Sequence, residues 1–387
     1  VVVGRTDVDS YGAFPPDGAA LLRELQAGRP PATASAWYTA RFGESVDMED
    51  FLDTLRALDF LVADSEAPAV PAQVRGRRLG RLLFSWPAMV CYSLLMACTL
   101  TVCVGDPRLA PHPGNLFFTQ YLVVIEVTVF FSQPLLMLLH EYGHVLAGRR
   151  LGLRTRLRIG RRLYFLVFET ALDGLVVVPR SKRYLPVLAG MLVDVLGMCV
   201  LTLAAWSTLR PDGTLPLAGR VCLALAFTAV PRIVAQFYVF LRTDLYHLLV
   251  TVLGCSDLHG TARELLANRF NRLRGRTDRL TDESLWQPRD ATVARWYAPV
   301  YVLGYAAMTL MFCTVFGPVA WRFADTAAHT VLGSSVSAGR FLDATVILAM
   351  NAFQLAAVAF GAIRAWRRRR SDRPSEHQLE GTAHATS

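Results

Sequence analysis

From residue 81 onward the chain is a succession of long apolar stretches separated by shorter polar ones. Six have the length of a membrane span, at about 82–104, 117–147, 184–208, 217–240, 297–320 and 341–363; a span needs about 20 apolar residues. The second is too long for one straight crossing, and Pro134 within it predicts a kink. The first 64 residues have a different rhythm. Val1-Val2-Val3 predicts a strand, and Gly18–Gln26, Thr33–Phe42 and Asp47–Leu58 carry apolar residues at helical spacing. Asp47 is a good N-cap, and Phe60-Leu61-Val62 predicts a closing strand. Between the second and third apolar stretches the pattern changes to alternation. Leu163–Phe168 and Leu175–Val178 flank Asp173-Gly174, a strong hairpin signal.

These patterns predict a polytopic α-helical membrane protein with about six transmembrane helices and a β-hairpin insert, plus a small α+β soluble N-terminal domain. The expected divisions are a soluble domain at 1–64, a linker at 65–80 and a membrane domain at 81–366. The membrane domain includes the hairpin at 154–180 and a cytoplasmic segment at 254–295; a disordered basic-then-polar tail follows at 367–387. The polar, mixed N-terminus predicts no signal peptide.

Composition supports this division. Of 387 residues, 53% are hydrophobic, and mean hydropathy is +0.34, too apolar for a single soluble globule. The net charge of +9 comes mostly from arginines that flank the apolar stretches, so it reads as topology and not as a nucleic-acid surface. Arg75, Arg77, Arg78 and Arg81 precede the first stretch, and Arg149, Arg150, Arg154, Arg156 and Arg158 follow the second. Eight arginines lie in 254–295, and Arg367 to Arg370 follow the sixth stretch. The alternate loops, 105–116, 209–216 and 321–340, are poor in basic residues. Both termini are therefore expected in the cytoplasm. The seven cysteines are scattered and form no C-x-x-C pair, which argues against a disulfide framework or a cysteine metal site.

The chemistry is concentrated in His140-Glu141-Tyr142-Gly143-His144, at the end of an apolar run. On a helix, H-E-x-x-H places two imidazoles one turn apart on one face, where both can hold one Zn2+. The intervening Glu141 is the candidate general base. The third ligand must reach the cytoplasmic end of the second span. Asp244, at the end of the fourth, ranks first. Asp173 ranks second, because an Asp-Gly turn already explains it, and His247 ranks third. Asp194, an aspartate inside the third span, needs a partner and is a candidate for the cleft.

His140-Glu141-x-Gly143-His144 in an apolar helix resembles the site-2 protease family of intramembrane zinc metalloproteases, and within it the bacterial peptide zinc metalloprotease branch. Ala189-Gly190-Met191-Leu192-Val193-Asp194 is similar to that family's alanine-glycine-proline-x-x-asparagine stretch, with Met191 and Asp194 as departures. Arg242-Thr243-Asp244-Leu245-Tyr246 resembles its aspartate ligand motif, with Leu245 where a glycine is usual. The likeness covers roughly 80–260. Residues 1–64 are more loosely similar to winged-helix domains that bind the leader peptides of ribosomal peptide products.

The resemblance implies a zinc endopeptidase of a bacterial cell membrane. Its partners would be the lipid bilayer and a peptide or membrane-protein substrate, with no nucleic acid. The competing expectation is a non-catalytic peptide-binding or export scaffold that keeps the zinc site. Glu141 separates the two, since a scaffold has no physical need for a carboxylate between the ligands.

Overall fold

The computed structural model describes residues 2–61 apart from 6–9, and 74–311 apart from 163, 164, 172, 173, 176 and 177. It also describes scattered positions between 313 and 364. The N-terminal unit begins with an antiparallel pair, β1 (Val2–Arg5) and β2 (Ser10–Ala13), and continues through α1 (Pro16–Gln26), α2 (Pro31–Phe42) and α3 (Met48–Ala57). The sequence expectation of three helices holds, and Asp47 caps α3 by accepting from the backbone N–H of Glu49 and Asp50. The strands differ from the expectation. Ser10–Ala13 pairs with the first strand, whereas Phe60 and Leu61 are not in a strand. Phe60 instead packs its ring against Phe14 on the unit's core. Leu21 and Leu55 are fully buried there, each contributing roughly 1.5–3 kcal/mol by removal from water.

After α4 (Arg77–Leu83) come four long helices: α5 (Trp86–Gly105), α6 (Leu122–Arg150), α7 (Arg180–Ser207) and α8 (Leu217–Ala235). Among the described residues these four are long and apolar enough to cross a membrane. The most apolar stretch of α6 buries none of its residues inside the protein. Phe131, Leu135 and Leu139 stand exposed along it, as do Leu94 and Leu100 on α5. Such continuous apolar surface requires a lipid environment or a partner. The expected fifth and sixth spans fall partly outside the described residues. Of the fifth, the described part is α11 (Pro288–Met311), which starts well before the apolar stretch does.

Helix α6 changes character along its length. Its first half faces outward, whereas His140, Glu141, Gly143 and His144 through Gly148 are buried. It runs as one helix through Pro134. The burial of its second half comes from α4, the hairpin and above all α7, which also packs against α5, α8 and α9 (Asp244–Leu253). Small residues permit the α6–α7 approach: a Cβ on Gly143 would lie 2.9 Å from the Ala189 carbonyl oxygen and 2.8 Å from Val193 Cγ2.

The hairpin is present but its turn is elsewhere. β3 (Arg156–Arg162) pairs antiparallel with β4 (Phe165–Ala171), Arg162 opposite Phe165 and Arg156 opposite Ala171. The described strands therefore meet between Arg162 and Phe165, ahead of the expected turn, of which Asp173 lies outside the described residues. The arginine-rich first strand has few β-branched residues, so its alternation was outweighed by the Asp-Gly signal further on. Two hydroxyls fasten the open end of this hairpin to α6. Thr155 Oγ1 donates to the Val145 carbonyl (3.1 Å), and Thr170 Oγ1 lies 3.0 Å from the Glu141 carbonyl oxygen.

Beyond α8 the chain turns sharply. A 3-10 turn at Val239–Leu241 is followed by Arg242 with φ 58°, a left-handed conformation uncommon for a residue with a side chain. The turn is held by Thr243 Oγ1 donating to the Gln236 carbonyl (2.6 Å) and by the Asp244 N–H donating to Gln236 Oε1 (3.0 Å). It makes Asp244 the first residue of α9. Helices α10 (Leu258–Leu273) and α11 close a second core around Tyr297 and Leu258. Buried Asp290 locks them together by accepting from the Ser256 and Asp257 N–H groups (3.0 and 3.1 Å) and from the Ser256 hydroxyl (2.6 Å).

Candidate metal centre

His140, His144 and Asp244 converge where the buried half of α6 meets the start of α9. Asp244 Oδ2 lies 3.2 Å from His140 Nε2 and 3.3 Å from His144 Nε2, and the two Nε2 atoms are 3.2 Å apart. Three donors bound at 2.0–2.2 Å to one tetrahedral ion would stand about 3.4 Å apart. The triangle has the right size for a shared metal ion.

The outer nitrogens explain why the inner ones are bare. His140 Nδ1 donates to Asp194 Oδ2 (2.8 Å), and His144 Nδ1 donates to the Pro186 carbonyl oxygen (2.8 Å). With its proton on Nδ1, a neutral imidazole presents only a lone pair at Nε2. The Asp244 carboxylate brings no hydrogen either, and its Oδ2 is buried without a hydrogen-bond donor. Three electron pairs thus face one another in a buried space. That arrangement is repulsive unless a cation stands among them. A set of two imidazoles and one carboxylate is a normal one for a divalent transition metal.

Backbone geometry makes room for the donors. A Cβ on Gly190 of α7 would overlap the Nε2 atoms of both His140 and His144. Glycine is required there because α7 passes the histidines at backbone distance. Asp244 also sits in the first turn of α9, where the helix dipole favours a carboxylate.

Glu141 is buried beside the first histidine. Its Oε2 lies 2.8 Å from Thr170 Oγ1 on β4. The hairpin therefore holds the carboxylate that the sequence singles out as a base. Asp194 faces His140 and forms an ion pair with Arg232 of α8 (2.8 Å). His247 lies exposed on α9, apart from the three-donor group, and Asp173 falls outside the described residues.

The structure thus brings together His140, His144 and Asp244, with Asp194 against the outer nitrogen of His140. Sequence reasoning missed Thr170 and Arg232. Nothing local marks Thr170. Arg232 did carry a signal, being a cation inside one apolar stretch while Asp194 is an anion inside another. Comparison with protein-family models, with curated proteins and with solved structures finds no match to this chain.

Proposed function

We propose that this protein is a membrane-embedded zinc endopeptidase of the site-2 protease type, cleaving a peptide or a membrane protein near the cytoplasmic membrane surface. The carrying observation is the triangle of three bare donor atoms on H-E-x-x-H and Asp244. The same trio suits non-haem iron, but a carboxylate placed between two helical histidines favours hydrolytic zinc. Zinc bound there supplies a Lewis acid that acidifies water and polarises a scissile carbonyl. His140, His144 and Asp244 hold it. Glu141, fixed by Thr170, takes a proton from the attacking water as its oxygen bonds to the carbonyl carbon. The carbon–nitrogen bond then breaks, and Glu141 delivers the proton to the departing amine.

In this reading the chain crosses the membrane six times with both termini in the cytoplasm, as its arginine distribution requires. The N-terminal unit works as a peptide-recognition module of winged-helix type. It contains no His or Cys. Purified protein in detergent, assayed with peptide substrates, tests the activity. Glu141→Gln should retain the metal and lower the cleavage rate by about 10²–10⁴-fold. A variant that cuts as fast as wild type overturns the assignment.

A further inference from the structure

Three polar side chains from three different apolar helices meet beside His140. Asp194 of α7 receives the His140 Nδ1 proton through Oδ2 (2.8 Å) and binds Arg232 of α8 through Oδ1 (2.8 Å). The other arm of the same guanidinium donates to Gln133 Oε1 of α6 (3.2 Å). Gln133 precedes His140 by seven residues, about two turns along one helix face. Asp194 is almost completely buried, and Arg232 is largely so. Charges inside apolar spans are costly and persist where they are paired and put to use. None of the three belongs to the donor triangle.

We infer that Asp194 and Arg232 form a positioning pair that sets the metal affinity of His140, an inference that rests on the metal-centre reading above. Asp194 keeps the proton on Nδ1 and so keeps the Nε2 lone pair directed at His144 and Asp244. Arg232 keeps Asp194 aimed, its planar two-armed fork reaching Asp194 and Gln133 at once. The two histidines are thereby unequal. His144 rests on a neutral carbonyl, whereas His140 rests on a carboxylate, which makes the imidazole a stronger donor. The Asp194–Arg232 pair is itself neutral, so it leaves Asp244 as the net negative charge facing the ion.

The alternative is that the pair only staples α6, α7 and α8 together. Metal affinity separates the two. Full-length protein in detergent is titrated with Zn2+ against a chromophoric chelator, and unfolding of the metal-free form is followed in parallel. Asp194→Ala should weaken Zn2+ binding by about 10–100-fold, and Asp194→Asn, which keeps an acceptor without the charge, by about tenfold. Arg232→Gln should weaken it in the wild-type background and have no further effect beside Asp194→Asn, because it acts through that carboxylate. The double variant, neutral at both positions, should remain folded and weak in metal, which keeps the test decisive if Asp194→Ala fails to fold. Zn2+ affinity of Asp194→Asn and of the double variant within about twofold of wild type, with reduced thermal stability alone, overturns the positioning role and leaves a staple. A wild-type chain that binds no Zn2+ overturns the metal centre itself, a distinct result.

Discussion

A methyl group at position 190 would occupy the space of both His Nε2 atoms. Gly190→Ala should therefore lower zinc affinity at least about tenfold, because the imidazoles must rotate or the helices part. Metal content of the purified variant checks this, and full occupancy at wild-type affinity would show that α7 yields easily. Thr170 acts on the other side of the site. Thr170→Val keeps the shape, removes the hydroxyl that holds Glu141, and should slow peptide cleavage by roughly tenfold with metal binding unchanged. An unaltered rate would mean that Glu141 is held by its own helix alone. At this scale the sequence was most legible where chemistry is local. H-E-x-x-H fixes its own geometry by helical spacing, and Asp244 was within reach because topology limited which acids could join it. Thr170 and Arg232 were hidden because their importance lies in contacts across 29 and 38 residues of sequence.

Among the elements, the long helices were readable because apolar length is unambiguous, and the three N-terminal helices because their spacing and the Asp47 cap agree. The hairpin was readable in kind but not in register. An Asp-Gly pair marks a turn wherever it occurs, so it could not reveal that Arg156–Arg162 and Phe165–Ala171 are the paired strands. The second N-terminal strand, Ser-Tyr-Gly-Ala, has too little pattern to stand out, and pairing alone creates it. One contact in this unit carries a pH signature. Tyr38 donates to Asp17 (2.5 Å), tying α2 to α1. That hydrogen bond holds the Asp17 carboxyl below its usual range and pushes the Tyr38 phenol up to about 12. Asp17 thus contributes stability that is present above roughly pH 4 and is lost as pH falls through its depressed value. Tyr38 contributes stability that is present below roughly pH 10 and is lost as pH rises toward 12. Unfolding of residues 1–64 across pH should show both edges flattened in Tyr38→Phe. Identical profiles for the two would mean that the contact does not form in solution.

For the whole molecule, the charge pattern along the chain and the position of the metal centre make one joint claim. The three candidate metal ligands lie in the last turns of α6 and the first of α9, both beside arginine-rich segments. If those segments are cytoplasmic, cleavage occurs at the cytoplasmic surface. Single cysteines placed at Asn115, in the loop before α6, and at Arg149, in its last turn, test this in intact cells with a membrane-impermeant reagent. Position 115 should label from outside and position 149 should not; the reverse pattern would invert the topology and the side of cleavage. What the hydrophobic pattern could not convey at this scale is the asymmetry of α6, lipid-facing in one half and enclosed in the other. That depends on which helices pack against it and not on its own composition.

All of this rests on three donor atoms sharing one ion. The most direct measurement is the metal content of the purified full-length protein by elemental mass spectrometry, beside His140→Ala, His144→Ala, Asp244→Ala and Glu141→Gln. One zinc per chain is predicted for wild type and for Glu141→Gln, with loss in the three ligand variants. A wild-type protein without zinc, or an Asp244→Ala protein that keeps it at wild-type affinity, would contradict the account.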